Sequence, residues 1–453
     1  MLAGTSIIRQ LFARGDFGPV ISPSPLHPIM DPGNRSRPDA FRLEGRSLMM
    51  DRPAPTPPAT ASDTTRGHLR VLPSMPASTD DGALQTVDLG AFDLELGGHI
   101  EQVTLAYRTW GTLNAAGANA VVVLHALTGD SLASGPGGWW EPVVGTGRPI
   151  NTDDCFVISA NVLGGCSGST GPASINPKTG RQWAMTFPLI TIGDIVAAQR
   201  RLVERLGVTK LIAVGGSIGG FQALEWATRH GVLVRGSLAI AAGSSLSALG
   251  IATHSEIGRR AIMADPAWQN GEYHEARTFP TSGLAIARMA AMTTYHSRES
   301  LGSRFGRSTA SRPVLYPAFG PTFDVEGYLH YHGEALVRRF DPNSYLYLTR
   351  AMDMYDVARD GGADHWLGKI AAPLLLVGIS SDWLFAPEEI RALRDHLGYL
   401  ERDVTYAEID SPNGHDAFLK DWDQLNPLVE SFIARIERQA EAEEMCTGHG
   451  SPP

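Results

Sequence analysis

The sequence predicts a protein of the α/β class, with a mostly parallel sheet that is covered by helices on both faces. Short apolar runs alternate with helical patterns over most of the chain. A glycine-rich turn at residues 215–219 joins one apolar run to a helical pattern and carries a serine at its centre. An aspartate and a histidine follow later apolar runs, so the three residue types of a nucleophilic site occur in order.

Composition excludes several function classes. The 453-residue chain has a formal net charge of −10 and no basic block, which argues against binding to nucleic acid. Its three cysteines, Cys155, Cys166 and Cys446, have no C-x-x-C spacing, which favours a reducing compartment and argues against a cysteine metal site. No apolar run reaches the roughly 18 residues that span a bilayer. We therefore expect a cytoplasmic protein with no membrane partner and no metal.

The two ends of the chain are predicted to lie outside the folded domain. Residues 1–80 hold 12 of the 30 prolines, no lysine and no sustained periodicity, which indicates a disordered N-terminal extension. The opening segment MLAGTSIIRQLFAR contains arginine and no acidic residue, so a targeting peptide is the alternative. Residues 441–453 are predicted to be a flexible tail.

Between these ends the elements follow in order. Apolar and polar residues alternate on both sides of Gly97-Gly98, which predicts an antiparallel hairpin at the start of the domain. Thr191 and Asp194 form a capping-box pattern at the start of a helix. The predicted strands are residues 120–124, 155–160, 210–214, 237–241, 373–379 and 404–409.

One interval interrupts the alternation of strands and helices. Residues 247–359 show helical patterns, many arginines and aromatics, and no clear strand. We interpret this interval as a helical lid inserted into a core formed by residues 81–246 and 360–440.

The glycine-rich turn has the G-x-S-x-G form with Ser217 at its centre. In a nucleophile elbow the serine has strained backbone angles on a tight turn between a strand and a helix, and larger neighbouring side chains would clash. We therefore expect the glycines to provide backbone conformations and space that other residues cannot. The alternative is a glycine-rich turn that only packs a helix on a strand.

A serine nucleophile needs a base and an acid that orients the base. Asp382 and His415 both follow predicted strands, in the expected order after Ser217. Asp382 alone has an alternative role as a helix cap or a solvated loop acid. His125 precedes the serine and is interpreted as a packed loop residue.

A tetrahedral intermediate also needs two backbone donors, which form an oxyanion hole. The first predicted donor is the N–H group of Ile218, directly after the serine. The second is the N–H group of Leu127, in the loop HALTG that follows the predicted strand 120–124.

These motifs resemble the homoserine O-acetyltransferase family of the α/β-hydrolase superfamily. The matching blocks occur in family order over residues 89–436: HALTGD, NVLGGCSGSTGP, GGSIGGFQALEWA, IARMAAMTTYHS, RFGR, RFDPNSYLYLTRAMDMYD, SSDWLF and GHDAFL. The resemblance implies an α/β-hydrolase fold with a helical lid. It also implies a homodimer that transfers an acetyl group from acetyl-CoA to the hydroxyl of L-homoserine in methionine biosynthesis, with acetyl-CoA as co-substrate and no other cofactor.

By the same resemblance, Ser217 carries the acyl group in a ping-pong mechanism, His415 is the base and acid, and Asp382 orients His415. Arg288 and Asp416 match the residues that hold the amino-acid substrate. The alternatives for these two are a helix-surface arginine and a helix cap.

Two residues depart from the family pattern. Ile218 and Phe221 stand where the family usually has methionine, which puts the choice of acyl donor in doubt. Serine or homoserine O-succinyltransferases and serine hydrolases of the same fold remain open as alternatives, and so does a non-catalytic binding protein of that fold. The HALTGD block favours acetyl transfer.

Overall fold

The computed structural model describes residues 81–309 and 322–447, so the predicted N-terminal extension lies outside the described residues. Ten strands occur in this part of the chain, eight of them in one sheet. Their bounds are β1 Gln85–Asp93, β2 His99–Trp110, β3 Ala120–Leu124, β4 Val144–Gly145, β5 Ile150–Asn151, β6 Phe156–Ala160, β7 Leu211–Gly216, β8 Val234–Ile240, β9 Leu374–Ile379 and β10 Val404–Ile409.

The main sheet has the order β1-β2-β6-β3-β7-β8-β9-β10. The first two strands form the predicted antiparallel hairpin, and β2 also pairs antiparallel with β6. From β6 to β10 every pairing is parallel. The mostly parallel sheet is therefore confirmed, and the six predicted strands correspond to β3 and β6–β10 with shifts of a few residues at their ends.

Twelve helices connect and cover the strands in the described residues. Their bounds are α1 Ile192–Arg205, α2 Ile218–Arg229, α3 Ala248–Gly250, α4 Ile257–Ala264, α5 Tyr273–Ala276, α6 Thr281–Tyr295, α7 Arg298–Phe305, α8 Asp324–Val337, α9 Pro342–Met354, α10 Ala363–Leu367, α11 Pro387–Tyr399 and α12 Trp422–Thr447. A π-helical segment, Ile251–Glu256, joins α3 to α4, and a 3₁₀ turn, Gly414–Leu419, precedes α12.

Alternate residues of the central strands enter two different apolar clusters. Val122 and Leu124 of β3 pack in a cluster that contains residues of α1, α2 and α11. Val121 and Val123 pack in a second cluster, which contains residues of α12. Because successive side chains of a strand point to opposite faces, helices cover both faces of the sheet.

The capping box predicted for α1 is present. The Thr191 hydroxyl accepts a hydrogen bond from the Asp194 N–H group at 3.0 Å, and the Asp194 carboxylate accepts one from the Thr191 N–H group at 2.8 Å. Asp194 also accepts a hydrogen bond from the N–H group of Glu95 at 2.9 Å, in the connection between β1 and β2. The local sequence signal therefore fixes both a helix start and a contact to the hairpin.

Between β8 and β9, the described residues of the predicted lid form the helices α3 to α9. An isolated antiparallel bridge between Ser245 and Asp356 joins the two ends of this interval.

At the C-terminal end of the domain, α12 continues to Thr447, so the first residues of the predicted tail are helical. Residues 441–445, EAEEM, are strong helix formers, so no local signal ends the helix at residue 440. None of the described helices is long and apolar enough to cross a membrane.

Candidate active site

Ser217 lies at the turn between β7 and α2, where it is the N-cap residue of α2. Its backbone angles are φ 61° and ψ −127°, a combination that is rare and costly for a residue with a side chain. The Ser217 N–H group donates to the carbonyl of Ile240 at 2.9 Å, and its own carbonyl accepts from Gly220 at 2.8 Å. These contacts with β8 and α2 hold the serine in its strained conformation.

Two roles were expected of the flanking glycines, unusual backbone angles and space for close packing, and the structure agrees with the second. None of the four has a left-handed φ, so the conformational strain resides in Ser217 itself. The glycines instead allow close approach. A Cβ atom on Gly216 would lie 2.6 Å from the Phe418 ring, and one on Gly219 would lie 2.2 Å from the Leu124 carbonyl oxygen. Side chains at these positions would push the turn away from β3 and from the segment that carries His415.

Asp382 and His415 form a buried hydrogen-bonded pair. His415 Nδ1 donates to Asp382 Oδ2 at 2.7 Å, and both side chains are almost fully buried. Asp382 Oδ1 accepts hydrogen bonds from the N–H groups of Leu384 at 2.9 Å and Phe385 at 3.0 Å. Because both carboxylate oxygens are engaged, the acid and the imidazole are held in fixed orientations.

Aromatic rings enclose the imidazole of His415. The rings of Tyr295 and Phe385 lie nearly parallel to it, with centroid distances of 5.8 and 5.4 Å, and Phe418 meets it edge-on at 5.7 Å. Phe418 also lies against Gly216, so one phenyl ring contacts both the serine turn and the histidine. His415 Nε2 is buried and has no hydrogen-bond partner among the described residues.

The charge state of His415 is set by opposing influences. Burial alone would lower the pKa of the imidazole, because a charged ring is poorly solvated there. The carboxylate of Asp382, its hydrogen bond and the carboxylate of Asp416 outweigh burial and raise the pKa above its ordinary value of 6.5. The imidazole is therefore a stronger proton acceptor than a free histidine.

The two predicted oxyanion donors lie on adjoining segments. Ile218 is the first residue of α2, and Leu127 lies in the loop after β3; both are buried. In that loop, His125 Nε2 accepts a hydrogen bond from the Val162 N–H group at 3.2 Å, and Nδ1 donates to the Ala126 carbonyl at 2.8 Å. Burial lowers the pKa of His125, which keeps it neutral in this role. The interpretation of His125 as a packed loop residue agrees with these contacts.

Arg288 lies on the buried side of α6, with 7% of its surface exposed. Its guanidinium carbon is 5.4 Å from the centre of the Tyr295 ring, and Nη1 lies 3.5 Å from the hydroxyl of Thr128. Among the ion pairs of the described residues, none involves Arg288. A buried guanidinium without a carboxylate partner is suited to binding an anion.

Asp416 follows His415 directly and pairs with Lys420, whose Nζ is 3.1 Å from Asp416 Oδ2. Burial opposes ionisation of this carboxyl group, but the charges of Lys420, His296, His415 and Arg288 outweigh burial and hold its pKa below the ordinary value. Asp416 is therefore a carboxylate, and it lies within the electrostatic influence of both His415 and Arg288.

Several residues of the site were not predicted. Lys420 pairs with Asp416 at a spacing of four residues, a signal that the sequence contains. Tyr295 lies seven residues after Arg288, two helical turns away and so on the same face of α6. Arg339 donates from Nη1 to the carbonyl of Thr128 at 2.6 Å, a contact between the predicted lid and the loop after β3 that no local pattern indicates.

Phe221, one of the two residues that depart from the family pattern, is linked to His415 through the ring of Phe385. Phe221 is fully buried on α2, with its ring centroid 4.4 Å from that of Tyr355 and 5.3 Å from that of Phe385. Phe385 in turn lies against His415.

Within residues 81–309 and 322–447, there is no group of three or more potential ligands that could hold a metal ion.

Comparison with known proteins agrees with this architecture. The family model of the α/β-hydrolase fold matches residues 119–421. A homoserine O-acetyltransferase of Carboxydothermus hydrogenoformans is 45% identical over 354 residues, which cover 76% of this chain and 93% of that protein. One from Bradyrhizobium diazoefficiens is 47% identical over 350 residues, covering 75% of this chain and 87% of that protein.

Two solved structures share this fold. The crystal structure of homoserine O-acetyltransferase from Bacillus anthracis superposes with a TM-score of 0.73 at 25% identity, covering 78% of this chain and 98% of that one. Esterase E22 superposes with a TM-score of 0.72 at 26% identity, covering 77% and 99%. On the identity and coverage of these relatives, the chain belongs to the homoserine O-acetyltransferase family of the α/β-hydrolase superfamily.

Proposed function

We propose that the protein transfers an acetyl group from acetyl-CoA to the hydroxyl of L-homoserine, as the names of its relatives indicate, and so acts in methionine biosynthesis. The observation that carries this proposal is the buried pair of Asp382 and His415, in which Nε2 of the imidazole has no partner among the described residues. A strained serine on the neighbouring turn supplies the nucleophile for such a base.

In the first half-reaction, Ser217 Oγ attacks the thioester carbon while His415 Nε2 accepts the hydroxyl proton. The carbonyl oxygen becomes an oxyanion, which the N–H groups of Ile218 and Leu127 stabilise. The intermediate then breaks its carbon–sulfur bond, and the proton on His415 passes to the leaving sulfur. The products are acetylated Ser217 and free CoA.

In the second half-reaction, the homoserine hydroxyl replaces the serine as nucleophile. His415 accepts its proton, the same two N–H groups hold the second oxyanion, and the proton returns to Ser217 Oγ as the ester bond breaks. The product is O-acetylhomoserine. This sequence needs acetyl-CoA as co-substrate and no metal or other cofactor.

The amino-acid acceptor carries one carboxylate and one ammonium group. The guanidinium of Arg288, which has no carboxylate partner among the described residues, supports a role in holding the carboxylate, and the ionised Asp416 supports a role in holding the ammonium. Lys420 already pairs with Asp416. When the acceptor binds, the Asp416 carboxylate must therefore either leave Lys420 or contact both Lys420 and the ammonium group of the acceptor. The proposed assembly is a homodimer, as the family resemblance implies, and the proposed location is the cytoplasm.

A second candidate is hydrolysis of the acyl-serine by water. The structural similarity to esterase E22 favours this alternative, because the same fold serves that enzyme. A transferase differs from an esterase only in the acceptor that discharges the acyl-serine. The acceptor site therefore decides between the two.

The proposed function is tested by a matrix of acyl donors and acceptors. Acetyl-CoA and succinyl-CoA are each combined with homoserine, serine or water alone, and CoA release is measured together with O-acyl product. We expect acetyl-CoA with homoserine to give the highest kcat/KM. A preference for succinyl-CoA or serine would overturn the specificity, and CoA release that is independent of any acceptor would identify a hydrolase.

The acceptor roles predict an asymmetry between the two half-reactions. Arg288→Ala and Asp416→Asn should each reduce transfer to homoserine roughly ten- to hundredfold, because a charge-assisted contact is worth about 1.5–3 kcal/mol. CoA release during acylation of the enzyme should change much less. Rapid-quench measurement of each step separates the two effects.

Two control variants sharpen this test. Arg260→Ala removes an exposed lid arginine and should leave both steps unchanged. Lys420→Met removes the partner of Asp416 but keeps its carboxylate, so homoserine transfer should survive. Equal loss of both half-reactions in Arg288→Ala, or equal loss of transfer in Lys420→Met and Asp416→Asn, would contradict the proposed acceptor site.

The raised pKa of His415 predicts the pH dependence of acylation. Only neutral imidazole accepts the serine proton, so kcat/KM for acetyl-CoA should fall on the acid side with a midpoint above 6.5. Asp416→Asn removes a charge that raises this pKa, and the midpoint should move to lower pH. Asp423→Asn changes an exposed aspartate and should not move it. A midpoint at or below 6.5 in the unaltered enzyme would refute this account of His415.

A further inference from the structure

Three polar side chains form a hydrogen-bonded chain inside the apolar core beneath the serine turn. Trp226 Nε1 donates to Gln199 Oε1 at 3.1 Å, and Gln199 Nε2 donates to Gln222 Oε1 at 2.7 Å. Gln222 and Trp226 are fully buried, and Gln199 is nearly so. We refer to these three residues as the amide chain. Burying two amide groups in a core is costly unless each polar atom is satisfied, so their presence calls for a specific role.

The chemistry at both ends fixes the direction of the amide chain. The indole N–H of Trp226 is a donor only, so the atom of Gln199 beside it must be the oxygen. At the other end, the side-chain amide of Gln222 faces two backbone carbonyls. Because carbonyls only accept hydrogen bonds, the part of the amide that contacts them must be the NH₂ group. Each glutamine therefore has a single orientation that satisfies all its neighbours.

The two carbonyls that Gln222 contacts lie on the two segments that carry the proposed oxyanion donors. Gln222 Nε2 donates to the carbonyl of Ile218 at 3.2 Å and to that of His125 at 3.4 Å. Ile218 provides the first proposed oxyanion donor, and His125 begins the loop that provides the second at Leu127. No other described side chain hydrogen-bonds to both carbonyls.

Backbone packing brings the same two segments together. Gly219 lies so close to the end of β3 that a Cβ atom there would be 2.2 Å from the Leu124 oxygen and 3.4 Å from the His125 oxygen. Contact of this kind limits how near the segments come, but it does not fix how one is rotated relative to the other. Hydrogen bonds from one amide group to both segments supply the missing directional restraint.

We propose that Gln222 is a positioning residue that sets the relative placement of the two oxyanion-hole N–H groups, with Gln199 and Trp226 fixing its amide. The inference rests on the proposed acyl-serine mechanism, and it concerns a step that transfer and hydrolysis share. An oxyanion hole stabilises charge only if its donors are already aimed at the position where that charge develops. Gln222 itself touches neither substrate nor the reacting atoms in this account.

Loss of this restraint should affect the transition state more than substrate binding. A misplacement of about 1 Å in a catalytic group can reduce rates by about a hundredfold. We therefore expect Gln222→Met, which keeps the length of the side chain and removes its hydrogen bonds, to lower kcat about ten- to a hundredfold. KM for homoserine should change little, and both half-reactions should slow by a similar factor because each passes through an oxyanion.

Three variants separate positioning from a loss of packing. Gln199→Met keeps Gln222 but removes the anchor of its amide, and it should give a smaller loss of kcat in the same direction. The double variant should lose no more than Gln222→Met alone, because both residues act through one chain. Ser237→Ala is the matched control: it removes a buried hydrogen bond to the Ala223 carbonyl of α2, at 2.9 Å, away from the oxyanion hole.

The decisive readout is affinity for a small alkylboronic acid, which forms a tetrahedral adduct with an active serine. The inhibition constant should rise in Gln222→Met in proportion to the loss of kcat and stay unchanged in Ser237→Ala. The burst of nitrophenol from p-nitrophenyl acetate reports acylation without any acceptor and should slow in parallel. Far-ultraviolet circular dichroism and the thermal midpoint identify a variant that does not fold, in which case Gln199→Met carries the test.

The outcomes are distinct. Unchanged boronate affinity and burst rate in folded Gln222→Met, or equal losses in Gln222→Met and Ser237→Ala, would overturn the positioning role. If the unaltered enzyme shows the burst and binds the boronate but does not transfer to homoserine, the proposed transferase function fails. The effect of Gln222→Met on the burst would then still support the positioning role, because a hydrolase uses the same oxyanion hole.

Discussion

Ser217 holds its backbone at φ 61° and ψ −127°, which costs of order 1–3 kcal/mol and persists only where surrounding contacts leave no alternative. Those contacts come from both sides of the turn. The strand β8 accepts the Ser217 N–H group, and the first turn of α2 lies against the end of β3 at a distance that only glycine permits. The same packing brings together the two segments of the proposed oxyanion hole. The strained turn and the proposed oxyanion hole therefore depend on the same close contacts between backbone segments.

The electrostatics of the site follow from a few buried charges. Asp382 raises the pKa of His415 although burial opposes it, which favours proton transfer from a weakly acidic hydroxyl. Arg288 on α6 and Asp416 beside the histidine carry opposite charges, and Lys420 forms an ion pair with Asp416. An acceptor with both a carboxylate and an ammonium group complements these opposite charges, whereas water carries neither group.

Much of the fold was predictable because its signals are local. The strands β3 and β10 were predicted to the residue, and the capping box of Thr191 and Asp194 is a pattern of four consecutive residues with a direct structural meaning. The order of Ser217, Asp382 and His415 was also readable, since each follows an apolar run. The pairing of Asp382 with His415 agrees with that order.

Other features depend on contacts between distant segments, which periodicity cannot indicate. Phe418 limits the side chain at Gly216 across about two hundred residues of sequence. The contact of Arg339 with Thr128 and the amide chain of Gln199, Gln222 and Trp226 likewise join separate elements. The glycines of the turn were predicted to provide both unusual backbone angles and space; the close contacts at Gly216 and Gly219 agree with the need for space, whereas none of the four glycines has a left-handed φ.

The central claim is that Ser217 carries the acetyl group between donor and acceptor. Its most direct test is peptide-mapping mass spectrometry of the enzyme after exposure to acetyl-CoA without acceptor. The account predicts a mass increase of one acetyl group on the peptide that contains Ser217, its removal when homoserine is added, and its absence in Ser217→Ala. Acetylation at another residue that homoserine discharges, or full transfer activity in Ser217→Ala, would contradict the mechanism.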